Sequence, residues 1–407
     1  MSEVVSIPQL RFPEFRDEWR VDKFVDLCKF QQGVQVDVEL QSTEPKNNFL
    51  RFLRIENYTQ KSNDFRYIPK ELSSNKSITE NEIAIVRYGA TAGYIGRGLK
   101  GVLANNLFKL VLNKDTLDTD YLFHLLRSYK TFCFFQSEMS GGAMPALSFG
   151  IVGALKLPYS SISEQQKIAA FLTAVDTKIE QLSKKKELLG EYKKGLMQKI
   201  FSQAIRFKAD DGSAFPVWEE KNIVELAKTS IGLVTSMTPY YVDKGVPLIR
   251  NNDIFQNKIR KEKLIRLDYE FDQLNKNRRL FTNDIVTVHT GNIGASAVID
   301  EELNGCQGFA TLNTRIKNQN EISSSFLCWY YNSTRNIKYA LSMATGDGRS
   351  NYNLKDFNKA TIPVPSLPEQ TKIAAFLTAA DNKIEQVGKQ FDESKQFKKA
   401  LLQQMFV

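Results

Sequence analysis

The chain of 407 residues predicts a tandem of two α/β (α+β) units, each followed by a long α-helix. The two helices are expected to pair as an antiparallel coiled coil with pseudo-two-fold symmetry. Three observations carry that prediction. EQQKIAAFLTAVDTKIEQ (164–181) and EQTKIAAFLTAADNKIEQ (369–386) agree at 15 of 18 positions, 205 residues apart. The likeness runs without a gap through 163–201 against 368–406, with 21 identities in 39 positions. Upstream of each copy lies a diverged stretch that keeps matched landmarks, which marks a duplication. Trp19 before Val25-Asp26-Leu27 faces Trp218 before Val224-Glu225-Leu226; Asn81-Glu82-Ile83 with Gly89 faces Asn283-Asp284-Ile285 with Gly291; Ser140-Gly141 faces Thr345-Gly346.

The organisation that follows is a first unit at 1–160, a central spacer helix at 161–203, a second unit at 204–365 and a C-terminal spacer helix at 366–407. Ser161-x-x-Glu164 and Ser366-x-x-Glu369 read as capping boxes. Pro368 falls in the first turn, where a missing N–H costs little. Apolar residues then step by three and four: Ile168, Leu172, Val175, Ile179, Leu182, Leu189, Leu196 and Ile200. The second copy reads Ile373, Leu377, Ala380, Ile384, Val387, Phe391, Leu401 and Met405. That is a coiled-coil seam. Lys186 and Ser394 interrupt it, Gly190 and Gly195 weaken the first copy, and Lys193 and Lys398 sit on the seam itself. Those two lysines either mark a place where the pairing opens to a partner or snorkel past its edge. Neither helix can bury its stripe alone, so the two should pair, with the units at opposite ends of the rod.

Each unit mixes strand-like runs (82–86, 107–112, 284–288, 297–299) with helical patterns at 121–129 and 326–331. Four pairs of segments occupy similar places but carry different polar residues. Arg54, Asn57 and their neighbours face Arg250, Asn251 and Asn252. Arg87, Tyr88, Thr91, Tyr94 and Arg97, in a glycine-rich loop, face His289, Thr290 and Asn292. Residues 102–106 face 306–310. Residues 140–144 face 345–352, with Arg349, Asn351 and Tyr352. Arg, Asn, Gln, Thr and Tyr are the side chains that bond base edges, and adjacent glycines let backbone amides approach phosphates. Ordinary strand–turn–strand punctuation explains any single glycine equally well. The same scaffold met twice with altered contents favours recognition.

Composition sets the class. With 42% apolar and 25% charged residues the chain reads as globular. The N-terminal MSEVVSIPQLRFPEF lacks the basic start and apolar core of a secretion signal. The apolar cluster TFCFF is far short of the ~20 residues a membrane span needs, so a cytoplasmic protein with no membrane partner is expected. Cys28, Cys133, Cys306 and Cys328 form no CxxC pair, which suits reduced thiols. His124 and His289 are the only histidines, so zinc sites and histidine triads find little support. A net charge of +9 suits a polyanion, nucleic acid before membrane.

The glycine clusters match neither GxxxxGK[ST] nor GxGxxG after a strand, and no Asn/Asp-Pro-Pro-aromatic sequence is present. Glu44-Pro45-Lys46 after Asp37 is the nearest approach to a nuclease motif, in a polar stretch without a strand to hold a metal. No catalytic residue and no metal ligand is assigned.

The chain resembles the specificity subunit of Type I restriction-modification systems. The resemblance rests on the two variable units and on the repeated helices entered through Leu157-Pro158…Glu164-Gln165…Ile168-Ala169…Leu172 and Ile362-Pro363-Val364-Pro365…Glu369-Gln370…Ile373-Ala374…Leu377. The loops Gly291–Gly294 and Thr345–Arg349 are also similar to those of its target-recognition domains; Ser140-Gly141-Gly142-Ala143-Met144 departs from the second. The resemblance implies a non-catalytic subunit whose two target-recognition domains read the halves of a bipartite, asymmetric double-stranded DNA site. It implies two modification (methyltransferase) subunits and two restriction (motor-nuclease) subunits as partners, which would carry S-adenosylmethionine, ATP and Mg. The spacer helices would set the gap at roughly one turn of DNA, ~34 Å. Tyr192, Phe201, Phe397 and Phe406, with Leu196 and Leu401, are then candidates for the partner surface. A free-standing bipartite DNA-binding protein and a self-sufficient nuclease are the alternatives.

Overall fold

The computed structural model describes residues 8–74, 76–139, 145–344 and 351–406. The chain divides into two compact units, one joining Met1–Ser183 to Lys389–Val407 and the other spanning Lys184–Gly388. Each unit therefore holds one diverged stretch, part of the central helix Ile162–Phe201 and part of the C-terminal helix Leu367–Gln404.

In the first unit an antiparallel sheet orders Cys28–Gln32, Leu107–Leu112, Ala84–Val86 and Ile95–Gly96. A second sheet orders Arg66–Pro69, Phe49–Leu53, Gly101–Leu103 and Ser77–Ile78, with its two central strands parallel. A ribbon pairs Arg20–Lys23 with Lys156–Tyr159. The helix Thr119–Leu126 starts where Asp118 accepts from the Tyr121 amide and satisfies a free backbone donor. Its buried Tyr121, Leu122 and Leu125 join Trp19, Phe24 and Phe108 in the core.

The second unit repeats this plan. Its antiparallel sheet orders Ala227–Ile231, Thr311–Ile316, Ile285–Val288 and Ser296–Val298. The mixed sheet orders Tyr241–Val242, Ile265–Leu267, Val246–Arg250 and Gln307–Phe309. The ribbon is Glu219–Asn222 with Thr361–Val364. The hairpin Ile254–Phe255 with Lys258–Ile259 has no counterpart among the described strands of the first unit.

In both units the two long helices run antiparallel. Ile168, Ala169 and Leu172 share the first core with Leu401, Met405 and Phe406. Met197, Ile200 and Phe201 share the second with Ile373, Ala374 and Leu377. The seam lysines do not snorkel past the edge but are ion-paired across it. Lys398 reaches Asp176 at 2.6 Å in the first unit, and Lys193 is ion-paired with Asp381 in the second. Each lysine places its charge on a carboxylate of the opposite helix.

The expected capping boxes are not formed, because a stronger partner takes each glutamate. Arg11 donates to both oxygens of Glu164 at 2.7 and 2.8 Å. Arg206 does the same to Glu369 at 3.1 and 2.6 Å. Both carboxylates are fully buried, and a two-pronged guanidinium is the partner a buried carboxylate requires. The Ser366 hydroxyl has no hydrogen-bond partner, and Ser161 Oγ meets Ser163 Oγ instead. The glutamine after each glutamate ties the helix start to its own unit. Gln165 accepts from the Asp118 amide and donates to Thr116 and Ser160 carbonyls. Gln370 accepts from the Ser323 amide and donates to Glu321 and Pro365 carbonyls.

Two of the partner-surface residues are core residues. Phe201 packs at 5.6 Å from Tyr330 and Phe406 at 5.5 Å from Tyr121, because the C-terminal end of each long helix lies against a short helix of the unit, Ser324–Tyr331 or Thr119–Leu126. Leu401 is also buried and Leu196 half-buried. Tyr192 and Phe397, at matching places in the repeat, are 60% and 53% exposed.

Candidate nucleic-acid interface

In the first unit the strand Ala84–Val86 ends in a tight loop. The Gly93 amide returns to the Val86 carbonyl at 2.8 Å, and Gly89 and Gly93 take φ of +89° and +85°, a region that glycine enters at little cost. Residues just past the fourth segment come back to this loop. Tyr88 bridges to Ala146, the Gly89 amide donates to Pro145 and the Leu147 amide to Arg87.

Arg87 points into a group that the loop assembles. Its guanidinium lies 4.9 Å from the Tyr88 ring centre and 4.7 Å from that of Phe149. Nη1 donates to Gln32 Oε1 at 2.9 Å. Gln32 donates in turn to the Asn105 carbonyl at 2.8 Å, and Asn105 donates to Gln35 at 3.0 Å. The approach of Gly33 to the 102–106 segment makes this possible: a Cβ there would fall 2.2 Å from the Ala104 carbonyl oxygen. Sequence reasoning placed Asn105 in the segment 102–106 but did not single out Gln32 or Gln35. A signal was present, since Gln32-Gly33 faces Ile231-Gly232 as a matched glycine beside unlike neighbours.

Asn57, Tyr94 and Arg97 meet elsewhere in the unit. With Lys61, Phe123 and Arg127 they line a cleft of about 240 Å³. Arg97 is ion-paired with Asp120 and lies 4.2 Å over the Phe123 ring, which Arg127 also covers at 4.9 Å. Asn57 is spent on its own turn, accepting from the Arg54 amide and donating to the Ser62 carbonyl. Arg54 is held by Glu56 and Asp64. Thr91 and Tyr94 are exposed.

The second unit builds the same loop with other contents. The Gly294 amide returns to Val288, and Gly291 and Gly294 take φ of +88° and +84°. Thr290 bridges to Asn351 and its Oγ1 donates to Asn351 Oδ1 at 3.1 Å, while the Tyr352 amide donates to His289. Burial pushes the His289 imidazole below its ordinary pKa. Asn292 and Asn252 are exposed, Arg250 is paired with Asp253, and Asn251 donates to the Ala310 carbonyl. Tyr352 is 1% exposed, edge-on to Phe357 and Tyr339, so its ring serves the core and cannot meet a base. Arg349 and the segments 140–144 and 345–350 lie outside the described residues.

Among the described residues no group of three or more His, Cys, Asp or Glu side chains could hold a metal ion. No described helix is long and apolar enough to cross a membrane.

Residues 16–190 and 217–391 match the family described as the Type I restriction modification DNA specificity domain. The chain is 26% identical over 410 residues to the Type I restriction enzyme MjaVIII specificity subunit of Methanocaldococcus jannaschii, covering 97% of this chain and 92% of that one. It is 22% identical over 291 residues to the EcoBI specificity subunit of Escherichia coli, covering 67% and 60%. In fold it is similar to the crystal structure of a Type I restriction-modification S subunit from M. genitalium, with a TM-score of 0.62 at 17% identity over 99% of both chains. A second solved chain, from work on complex assembly and conformational transition of the type I R-M system, gives 0.57 at 17% identity over 95% and 97%.

Proposed function

We infer the function of this chain from its family: it belongs to the Type I restriction modification DNA specificity family, whose domain covers both of its units. Its task on this reading is DNA sequence recognition without catalysis of its own. Each unit recognises one half of a bipartite, asymmetric site on double-stranded DNA in the cytoplasm. Two modification subunits and two restriction subunits are directed to that site, and they carry S-adenosylmethionine, ATP and Mg.

The observation that supports two different half-sites is one loop scaffold filled in two ways. The same glycine turn presents Arg87 in one unit, tied to Gln32 and through it to Asn105, and His289 and Thr290 in the other, tied to Asn351. Different donors and acceptors on one frame select different bases. Of the helix residues named as partner candidates, Tyr192 and Phe397 are exposed.

The test is co-expression of this chain with the modification subunit encoded beside it, followed by genome-wide mapping of methylated adenines. A single gapped motif that vanishes when the chain is omitted is expected. Methylation that is absent, or unchanged without the chain, would refute the reading and favour a free-standing DNA-binding protein.

A further inference from the structure

We propose that Arg87 reads a guanine in the half-site of the first unit, that Gln32 holds it in the reading pose, and that the second unit lacks this reader. The proposal rests on the reading above that each unit recognises half of a DNA site.

The surroundings of Arg87 differ from those of its fellow candidates. Arg54, Arg97 and Arg250 are each paired with a carboxylate. Among the described residues, the side-chain contacts of Arg87 are two aromatic faces and a neutral amide. Its charge is therefore not neutralised by those contacts, while its plane is fixed. Nε is buried without a partner. With one Nη1 hydrogen on Gln32, the second Nη1 hydrogen and both on Nη2 remain. Two parallel donors on a planar fork match guanine O6 and N7, the commonest specific contact made by arginine.

The platform beneath is rigid. Phe149 stacks on Phe30 at 5.8 Å and meets Phe108 edge-on at 5.2 Å. Holding the fork in advance lowers the ordering cost of binding. It also gives the charge a direction, which a phosphate contact would not require. The second unit has none of these parts. Its strand registers place His289, Ile231 and Leu312 where the first has Arg87, Gln32 and Phe108. Leu354 opens the short helix that Phe149 opens in the first unit, and Thr229 replaces Phe30.

The experiment uses the complex with the modification subunit, carrying the unaltered chain, Arg87→Lys or Gln32→Leu. Methylated motifs are mapped, and binding is measured to DNA in which 7-deazaguanine replaces each guanine of the half-site in turn. We expect Arg87→Lys to keep a gapped motif in which one guanine becomes degenerate, with discrimination there reduced roughly ten- to hundredfold. The other half should not change. Gln32→Leu should relax the same position by less. Removing the N7 acceptor at that guanine should weaken the unaltered complex and leave Arg87→Lys indifferent.

An equal loss at every site with base preferences intact would make Arg87 a phosphate contact and overturn the proposal. So would relaxation at a base other than guanine, or complete loss of methylation in both variants. Absence of any gapped motif with the unaltered chain would instead overturn the underlying function.

Discussion

The two units share a hydrogen bond that shows what duplication keeps and what it releases. In the first, His124 Nε2 meets Thr173 Oγ1 at 3.1 Å; in the second, Trp329 Nε1 donates to Thr378 Oγ1 at 3.2 Å. Beside each ring lies the seam ion pair, Lys398 with Asp176 and Lys193 with Asp381. The ring–threonine contact is the same and the chemistry differs, because imidazole titrates and indole does not. Geometry has been retained where two helices must dock, while the identity of the docking group has been free to change.

The sharpest break in the comparison concerns the buried glutamates. Glu369 has a second donor, Trp218 Nε1 at 2.9 Å, whereas Trp19 Nε1 is buried without a partner. Arg11→Ala should therefore strand Glu164 and cost about 3–5 kcal/mol. Arg206→Ala should cost less, roughly 1–3 kcal/mol, since one charge-assisted bond remains. Urea denaturation of the two variants measures the gap, and equal losses would show that the tryptophan contributes nothing.

His124 supplies the next effect. Burial is the largest cause that pulls its pKa from 6.5 down to about 4, and the charge of Lys398 adds to it. A folded value below the unfolded one means that folding favours the neutral ring. That contribution is complete above pH 6.5 and is lost as pH falls towards 4. The loss amounts to at most roughly 3 kcal/mol. Denaturation at pH 7 and pH 4.5 should show His124→Gln losing less stability than the unaltered chain. A parallel decline in both would assign the acid sensitivity elsewhere.

Smaller effects follow along the seam. Lys398→Met and Lys193→Met should each cost about 1 kcal/mol, because the aspartate left behind is only partly buried and water can reach it. Tyr192→Ser and Phe397→Ser should change stability by no more than about 0.5 kcal/mol. Their effect should appear in co-purification with the modification subunit, and retention by both would remove these residues from the partner surface.

The duplication, the long helices and the main strands were legible because each leaves a local or periodic trace. The run 107–112 is a strand over those residues, and 326–331 lies within the helix Ser324–Tyr331. What the sequence hid is side-chain partnership over long separations. Arg11 and Glu164 are 153 residues apart, and Lys398 and Asp176 are 222 apart. Neither pair leaves a pattern in a window. Glu164 followed a serine at capping distance, and that local reading failed because a distant arginine competes better. Phe201, Phe406 and Tyr352 looked like surface contacts for a related reason. An aromatic near a chain turn serves core or ligand alike until its burial is known.

The Leu10 amide donates to the Gln404 carbonyl at 3.0 Å, and the Ile205 amide donates to the Lys199 carbonyl at 3.1 Å. These are the same bond in the two copies. In one, donor and acceptor are six residues apart along the polypeptide; in the other they are 394 apart. The peptide linkage across 202–204 is thus optional to the contacts around it. A chain cut between 202 and 204 should therefore keep the Ile205–Lys199 bond, which hydrogen exchange at the Ile205 amide measures.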